Sequence, residues 1–211
     1  MNAAWIKFMP SFIRSRLDGH HGLQSIIGNT AWLVADKVLR MGVGLVVGVW
    51  IARYLGPEQF GLWNFAIAFA ALFGAFATLG LEGIVVRELV RQPERQHVIM
   101  GSAFALKLAG AAVALSLALG SIAMMRSNDA LTLWLVGLSA AGFIFQSVNV
   151  IDLHFQAKVK ARYTVYAANA AFILMTLIKI WLLLTAAPLI AFAAAGLAET
   201  VLTAAFFILA Y

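Results

Sequence analysis

Six ionisable side chains stand inside otherwise apolar stretches of this sequence: Asp36, Lys37, Arg40, Lys107, Lys179 and Glu199. An ionised group at mid-bilayer costs at least about 2.5–3.5 kcal/mol on insertion scales, so it turns toward protein or water. At about 100° per residue, Asp36, Lys37 and Arg40 fall at about 0, 100 and 40°, on one side of a helix. Asp36 and Arg40 are an i,i+4 pair, and Gly44 and Gly48 continue the same side. Two readings of this face stand together. It lines an aqueous cavity and offers cations to an anionic solute, or it is a self-neutralising Asp–Arg pair with Gly44-x-x-x-Gly48 serving close helix packing. Lys107 lies about nine residues into its apolar run, about 13 Å at about 1.5 Å per residue, which is far for a lysine to snorkel back. Lys179 precedes Pro188 by nine residues and Glu199 follows it by eleven. In an antiparallel hairpin the two reach similar depths and can form an ion pair. Such a pair either holds two helices together or faces a lumen and changes partner with state. Four cations against two carboxylates leave these runs net cationic, a field that favours phosphate or carboxylate over a cation.

Bond-breaking chemistry finds no support. His20, His21, His97 and His154 all fall in predicted cytoplasmic segments, so no membrane-embedded serine–histidine dyad can form. Asp36 is the one aspartate clearly within a span, which excludes a paired-aspartate site. No phosphate-binding glycine loop, HExxH or cluster of metal ligands is present, and the absence of cysteine removes disulfides and thiolate metal sites. The sequence predicts binding and conduction, with no catalytic residue, cofactor or metal; it does not read as an enzyme.

The elements that position these residues follow from composition. Of 211 residues, 63% are apolar and 11% charged, against roughly 25% charged in a soluble domain. Mean hydropathy is +0.92. Lipid is therefore the solvent, and a soluble enzyme, a disordered tail and a nucleic-acid module are excluded. A helix needs about 20 apolar residues to cross about 30 Å of hydrocarbon. Six stretches qualify, at approximately 32–52, 61–81, 99–124, 131–151, 163–185 and 189–210. Pro10, Pro57, Pro93 and Pro188 all fall outside or between them, where a missing N–H costs little. The expected fold is all-α: a polytopic transmembrane bundle of six helices over residues 30–211. It follows a cytoplasmic amphipathic and basic segment, residues 1–29, that lies on the anionic inner leaflet.

Orientation follows from the basic residues. With a cytoplasmic N-terminus, Lys7, Arg14, Arg16, Arg87, Arg91, Arg95, Lys158, Lys160 and Arg162 lie inside, and Arg53 and Arg126 outside. That is a strong positive-inside bias. Aromatic anchors agree, with Trp32, Tyr163 and Tyr166 at the inner boundary and Trp50, Tyr54, Trp63, Trp134 and Trp181 at the outer.

Several ordered motifs carry a family likeness. Ala52-Arg53-Tyr54-Leu55-Gly56-Pro57-Glu58-Gln59-Phe60-Gly61 resembles a signature of polysaccharide-export flippases, as does Gly80-Leu81-Glu82-Gly83 leading into Val86-Arg87-Glu88-Leu89. Asp152-Leu153-His154-Phe155-Gln156-Ala157-Lys158-Val159-Lys160 is similar to the fourth-to-fifth helix loop of O-antigen and teichoic-acid type flippases. Ala170-Ala171-Phe172, Ile178-Lys179-Ile180, Pro188-Leu189-Ile190-Ala191-Phe192 and Glu199 continue the likeness. The resemblance implies one half of a MATE-like two-bundle fold of the multidrug/oligosaccharidyl-lipid/polysaccharide exporter superfamily. It also implies translocation of undecaprenyl-pyrophosphate-linked oligosaccharide across the bacterial inner membrane, through a hydrated cationic cavity with the lipid tail in the bilayer. Lys179, Glu199 and the first-helix charges stand where that family carries intramembrane charge. Because such proteins carry about twelve spans or more, this chain is expected to be a truncated or split N-terminal half, or to pair with a second copy. Lipid-linked oligosaccharide and membrane lipid are the expected partners, with polymerase-type proteins as further ones. Two alternatives remain: a non-transporting scaffold subunit of a glycan-assembly complex, and a drug or small-molecule exporter half.

Overall fold

The computed structural model describes residues 21–126, 128–158 and 162–211. The segment 1–29 falls mostly outside the described residues, and so does the side chain of Asp36. Among the described residues eight α-helices follow in order: α1 His21–Leu72, α2 Gly74–Thr78, α3 Glu82–Arg91, α4 Gln96–Met125, α5 Ala130–Gln146, α6 Val150–Ala157, α7 Arg162–Leu184 and α8 Leu189–Ala210. Among the described residues no strand occurs. Five helical stretches there are long and apolar enough to cross a membrane: Lys37–Leu72, Pro93–Met125, Ala130–Ala157, Thr164–Leu184 and Leu189–Ala210.

The sequence predicts six such stretches, and the difference lies in α1, which runs through both of the first two. Its backbone is not helical throughout: Gly56 has φ 73° and ψ 172°, a conformation that breaks the hydrogen-bond ladder and that glycine adopts without a Cβ penalty. Pro57 follows at once and opens the second arm, where its missing N–H is harmless. The two arms, residues 21–55 and 57–72, keep different company. In the first arm, Val47 and Ile51 share a cluster with Phe192, Ile180, Leu182 and Leu183. Further along, the Tyr54 hydroxyl donates to the Ala187 carbonyl at 3.0 Å, tying the bend to the α7–α8 turn. In the second arm, Ala66 and Ala70 pack with Ala118, Ile122, Leu135, Val136 and Ala140. Beyond it, Phe73 and Ala77 meet Ala111 and Ala114. Rising numbers thus meet rising numbers on α7 and falling numbers on α4.

Alanine dominates these interfaces: Ala66, Ala111, Ala114, Ala118, Ala140 and Ala171 are all fully buried. Inside a bilayer the hydrophobic effect does not drive helices together, so close van der Waals approach of small residues must. The closest approach is at Gly110, where a Cβ would lie 2.2 Å from the Phe76 carbonyl oxygen. Gly44 and Gly48 behave differently. A Cβ at either would meet nothing within 4 Å, so the close packing that is one reading of this stripe is not made among the described residues.

The α1–α3 connection bends sharply. Leu79 and Gly80 both take positive φ, 51° and 61°, and lead into α3 at one end of the bundle. There α3 buries Val85 and Leu89 against Ala103, Val150 and Leu153, while Arg87 and Arg91 remain exposed. At the opposite end Asp129 caps α5, accepting from the Thr132 backbone N–H at 3.0 Å and from its hydroxyl.

Candidate functional site

The bundle holds its ionic residues in two separate places. The first lies between α7 and α8, antiparallel helices joined by the turn that ends at Pro188. Lys179 Nζ donates to Glu199 Oε2 at 2.6 Å, with 19% and 25% of the two side chains exposed. This is a charge-assisted hydrogen bond of the short, strong kind. Neighbouring hydroxyls spend their donors locally: Thr203 donates to the Glu199 carbonyl at 2.7 Å and Thr200 to that of Leu197 at 2.7 Å. Such back-bonding satisfies polar groups inside a helix that has no water to call on.

On the same helix, α7, the Phe172 ring lies under the Arg40 guanidinium at 5.2 Å. One turn earlier the buried Asn169 Oδ1 has no hydrogen-bond partner among the described residues. Asn169, Phe172, Thr176 and Lys179 recur at three- and four-residue spacing and so share one face of α7. That face carries an amide, whose unpartnered atom is the acceptor oxygen, and the Lys179 ammonium, which donates to Glu199, while the Arg40 guanidinium lies over it from α1. Lys37 is exposed.

The second place is the end of the bundle built by α3. Lys107 is only 3% exposed, and its Nζ lies 3.8 Å from Glu82 Oε1, beyond hydrogen-bond length but close enough for an ion pair. The Glu82 side chain is 63% exposed. Lys107 therefore does not join Lys179 and Glu199; its partner is the first residue of α3. The sequence does not single out Glu82 as a site residue, although it stands in a motif there. The signal was the depth of Lys107 itself, since a cation that far from either boundary demands a carboxylate from a neighbouring element.

His154 is the other departure. The sequence places it in a solvated segment, yet the ring is 7% exposed. It packs edge-on against Tyr211 and Phe155, with ring centroids 5.6 and 5.9 Å away. The cause is tertiary: α6 is covered by α3 on one side and by the last residue of the described chain on the other. Among the described residues no group of three or more His, Asp and Glu is placed to hold a metal ion.

The arrangement offers binding groups of mostly positive charge inside membrane-length helices. A family model described as polysaccharide biosynthesis protein matches residues 26–211. No curated protein and no solved structure matches the chain at a significant level. With membrane-length helices, interior ion pairs and a family match over nearly all of its length, the chain belongs to the polysaccharide biosynthesis protein family.

Proposed function

We propose that this chain is an integral membrane flippase, or the N-terminal half of one. It moves undecaprenyl-pyrophosphate-linked oligosaccharide across the bacterial inner membrane during surface polysaccharide synthesis. The observation that carries the reading is the Lys179–Glu199 pair, 2.6 Å long and partly open, inside membrane-length helices. The open side of such a pair is costly against hydrocarbon and cheap against water, which favours a hydrated lumen beside α7. Arg40, Asn169 and Lys179 then supply donors along that lumen, suited to phosphate oxygens and sugar hydroxyls. No bond is made or broken: the chain works as a carrier, not an enzyme, and needs no cofactor.

The broken helix supports a reading of six crossings. The stretch Lys37–Leu72 has 36 residues, about 54 Å as a straight helix against about 30 Å of hydrocarbon. The Gly56 break and the opposite pairing directions of the two arms favour two crossings. Arg87, Arg91 and Arg95, gathered at the α3 end of the bundle, favour a cytoplasmic N-terminus. The uncovered Gly44 and Gly48 stripe, flanked by the exposed Leu45, Val46 and Val49, suits a second bundle, either a second six-helix half or a second copy. This is one half of a MATE-like pair whose cleft forms between the two. Polymerase-type proteins of polysaccharide assembly are its further partners.

The test is leaflet transfer in reconstituted vesicles, using a labelled lipid-linked sugar and a membrane-impermeant reagent that reads its side. The chain, alone or with a complementary half, should move the label, and Lys179→Met should slow transfer at least about tenfold, since about 1.4 kcal/mol at the barrier suffices. A label that never changes leaflet under either condition refutes the transport reading.

A further inference from the structure

At the α3 end of the bundle a cavity of about 190 Å³ opens between α3, the start of α4 and the end of α6. By liquid volume it holds about six waters at about 30 Å³ each. It is smaller than the roughly 300 Å³ at which drug-sized sites begin, so it suits a headgroup rather than a whole glycan or lipid. Its lining divides into two kinds. Leu89, Val90 and Pro93 form an apolar wall; Gln96, His154 and Lys158 bring an amide, an imidazole and an ammonium. All three can donate hydrogen bonds, although the Gln96 amide nitrogen meets His97 Nε2 at 3.4 Å, and none of the seven lining residues, Ala157 included, is a carboxylate.

Of the acidic groups near this lining, Glu94 is exposed beside Pro93, and the other two are engaged elsewhere. Glu88 lies 3.7 Å from Arg87 and accepts from Gln92 at 3.2 Å, and Asp152 accepts from Gln156 at 2.7 Å. The His154 ring packs against the rings of Tyr211 and Phe155, whereas Lys158 is exposed at the rim. A buried imidazole, an exposed ammonium and an amide around a headgroup-sized space make a set that recognises a compact, multiply charged oxyanion. Two of these residues, His154 and Lys158, belong to the Asp152–Lys160 motif, which interior charge pairing leaves unexplained.

We propose that this cavity is a binding site for a phosphate group, held by Lys158 and His154 with Gln96. The apolar wall beside it fits a phosphate carried on a lipid, and inorganic phosphate or pyrophosphate presents the same oxygens. The site stands on its own geometry and does not require that the bundle transports anything.

The experiment uses the full chain in nanodiscs of zwitterionic lipid. Inorganic pyrophosphate is added in one arm, and phosphatidic acid is included in the disc in the other. Binding is read by ³¹P line broadening and by the ¹⁵N shift of the His154 imidazole. Both probes, or the lipid probe alone, should perturb His154, the second result identifying a headgroup site that needs the apolar wall. Lys158→Gln, at an exposed turn, should weaken binding about tenfold or more, the size of one lost charged hydrogen bond. Val90→Trp, which fills the mouth of the cavity without changing charge, should do the same. Arg95→Gln, a cation outside the lining, should leave binding within about twofold. The site is refuted if neither probe perturbs His154, or if Arg95→Gln weakens binding as much as Lys158→Gln.

Discussion

Gly101 and Gly110 lie nine residues apart on opposite faces of the same helix, α4, and differ in what surrounds them. A methyl group at Gly101 would meet nothing within 4 Å, whereas at Gly110 it would lie 2.2 Å from the Phe76 carbonyl oxygen and 3.3 Å from the Leu79 side chain. Alanine gains about 0.8–1.0 kcal/mol over glycine in a helix interior, so Gly101→Ala should stabilise by about 1 kcal/mol. Gly110→Ala collects the same gain and then pays for overlap. Overpacking typically costs about 1–3 kcal/mol, and here the obstacle is backbone, which cannot swing aside as a side-chain end can. Taking the upper figure, the net is a loss of about 2 kcal/mol and a gap of about 3 kcal/mol between two identical substitutions on one helix. Reversible unfolding from mixed micelles by a denaturing detergent, followed by helical circular dichroism, measures both. Equal stabilities for the two variants would mean that α2 does not press against α4, and the packing of the bend at Leu79 and Gly80 would have to be redrawn.

The other expectations concern charges and the two ends of the bundle. Lys107→Met should be neutral or stabilising in the same unfolding assay, because an apolar side chain of similar length replaces a buried cation and the Glu82 carboxylate left behind is mostly solvated. Glu82→Gln should cost about 1 kcal/mol, less than the loss of a fully buried partner, because the Glu82 carboxylate is mostly solvated. A larger cost from Lys107→Met than from Glu82→Gln would contradict the pairing. Gly56→Ala forces a Cβ into a positive-φ backbone and should destabilise by about 1–2 kcal/mol, read by the same unfolding. At the α5 cap, hydrogen bonds from the Thr132 hydroxyl and backbone N–H, aided by Arg126, hold the Asp129 carboxyl below its ordinary 3.8. A depressed folded-state pKa means that the cap's contribution is complete above that ordinary value and lost as pH falls through the folded one. Amide exchange at Thr132 should therefore stay slow at neutral pH and accelerate in strong acid beyond the intrinsic trend, and Asp129→Asn should abolish that extra dependence.

How much of this was legible in the sequence depends on how local each cause is. A bilayer imposes one demand on every residue of a crossing, so apolar run length alone reveals an all-helical membrane chain. The Lys179–Glu199 pair was legible for a similar reason. Pro188 marks the turn, and counting from it in both directions equates depths without any knowledge of the rest of the bundle. Lys107 shows where such counting stops. Its depth says that a partner must exist, but the partner reaches it only because Leu79 and Gly80 turn the chain and set Glu82 at the start of α3 over α4. A positive φ at a leucine is not written in its side chain, so the bend and the pairing it creates come from packing.

His154 extends the same logic to the proposed phosphate cavity. Its neighbours in sequence are polar, and read locally they place it in water. It is buried because α3, an amphipathic helix that follows the bend, closes over α6 with Val85 and Leu89 while keeping Arg87 and Arg91 outward. One bend thus has two consequences: it brings a carboxylate to a buried lysine, and it roofs a histidine that would otherwise be solvated. Both the Lys107 pair and the His154 cavity should accordingly respond together to a change at the bend. Gly80→Val, which disfavours the positive φ of 61°, should weaken phosphate binding at His154 and increase the solvent exposure of Lys107 in one step, as read by imidazole shifts and by lysine-directed labelling. A variant in which one response appears without the other would separate the two sites and remove α3 as their common cause.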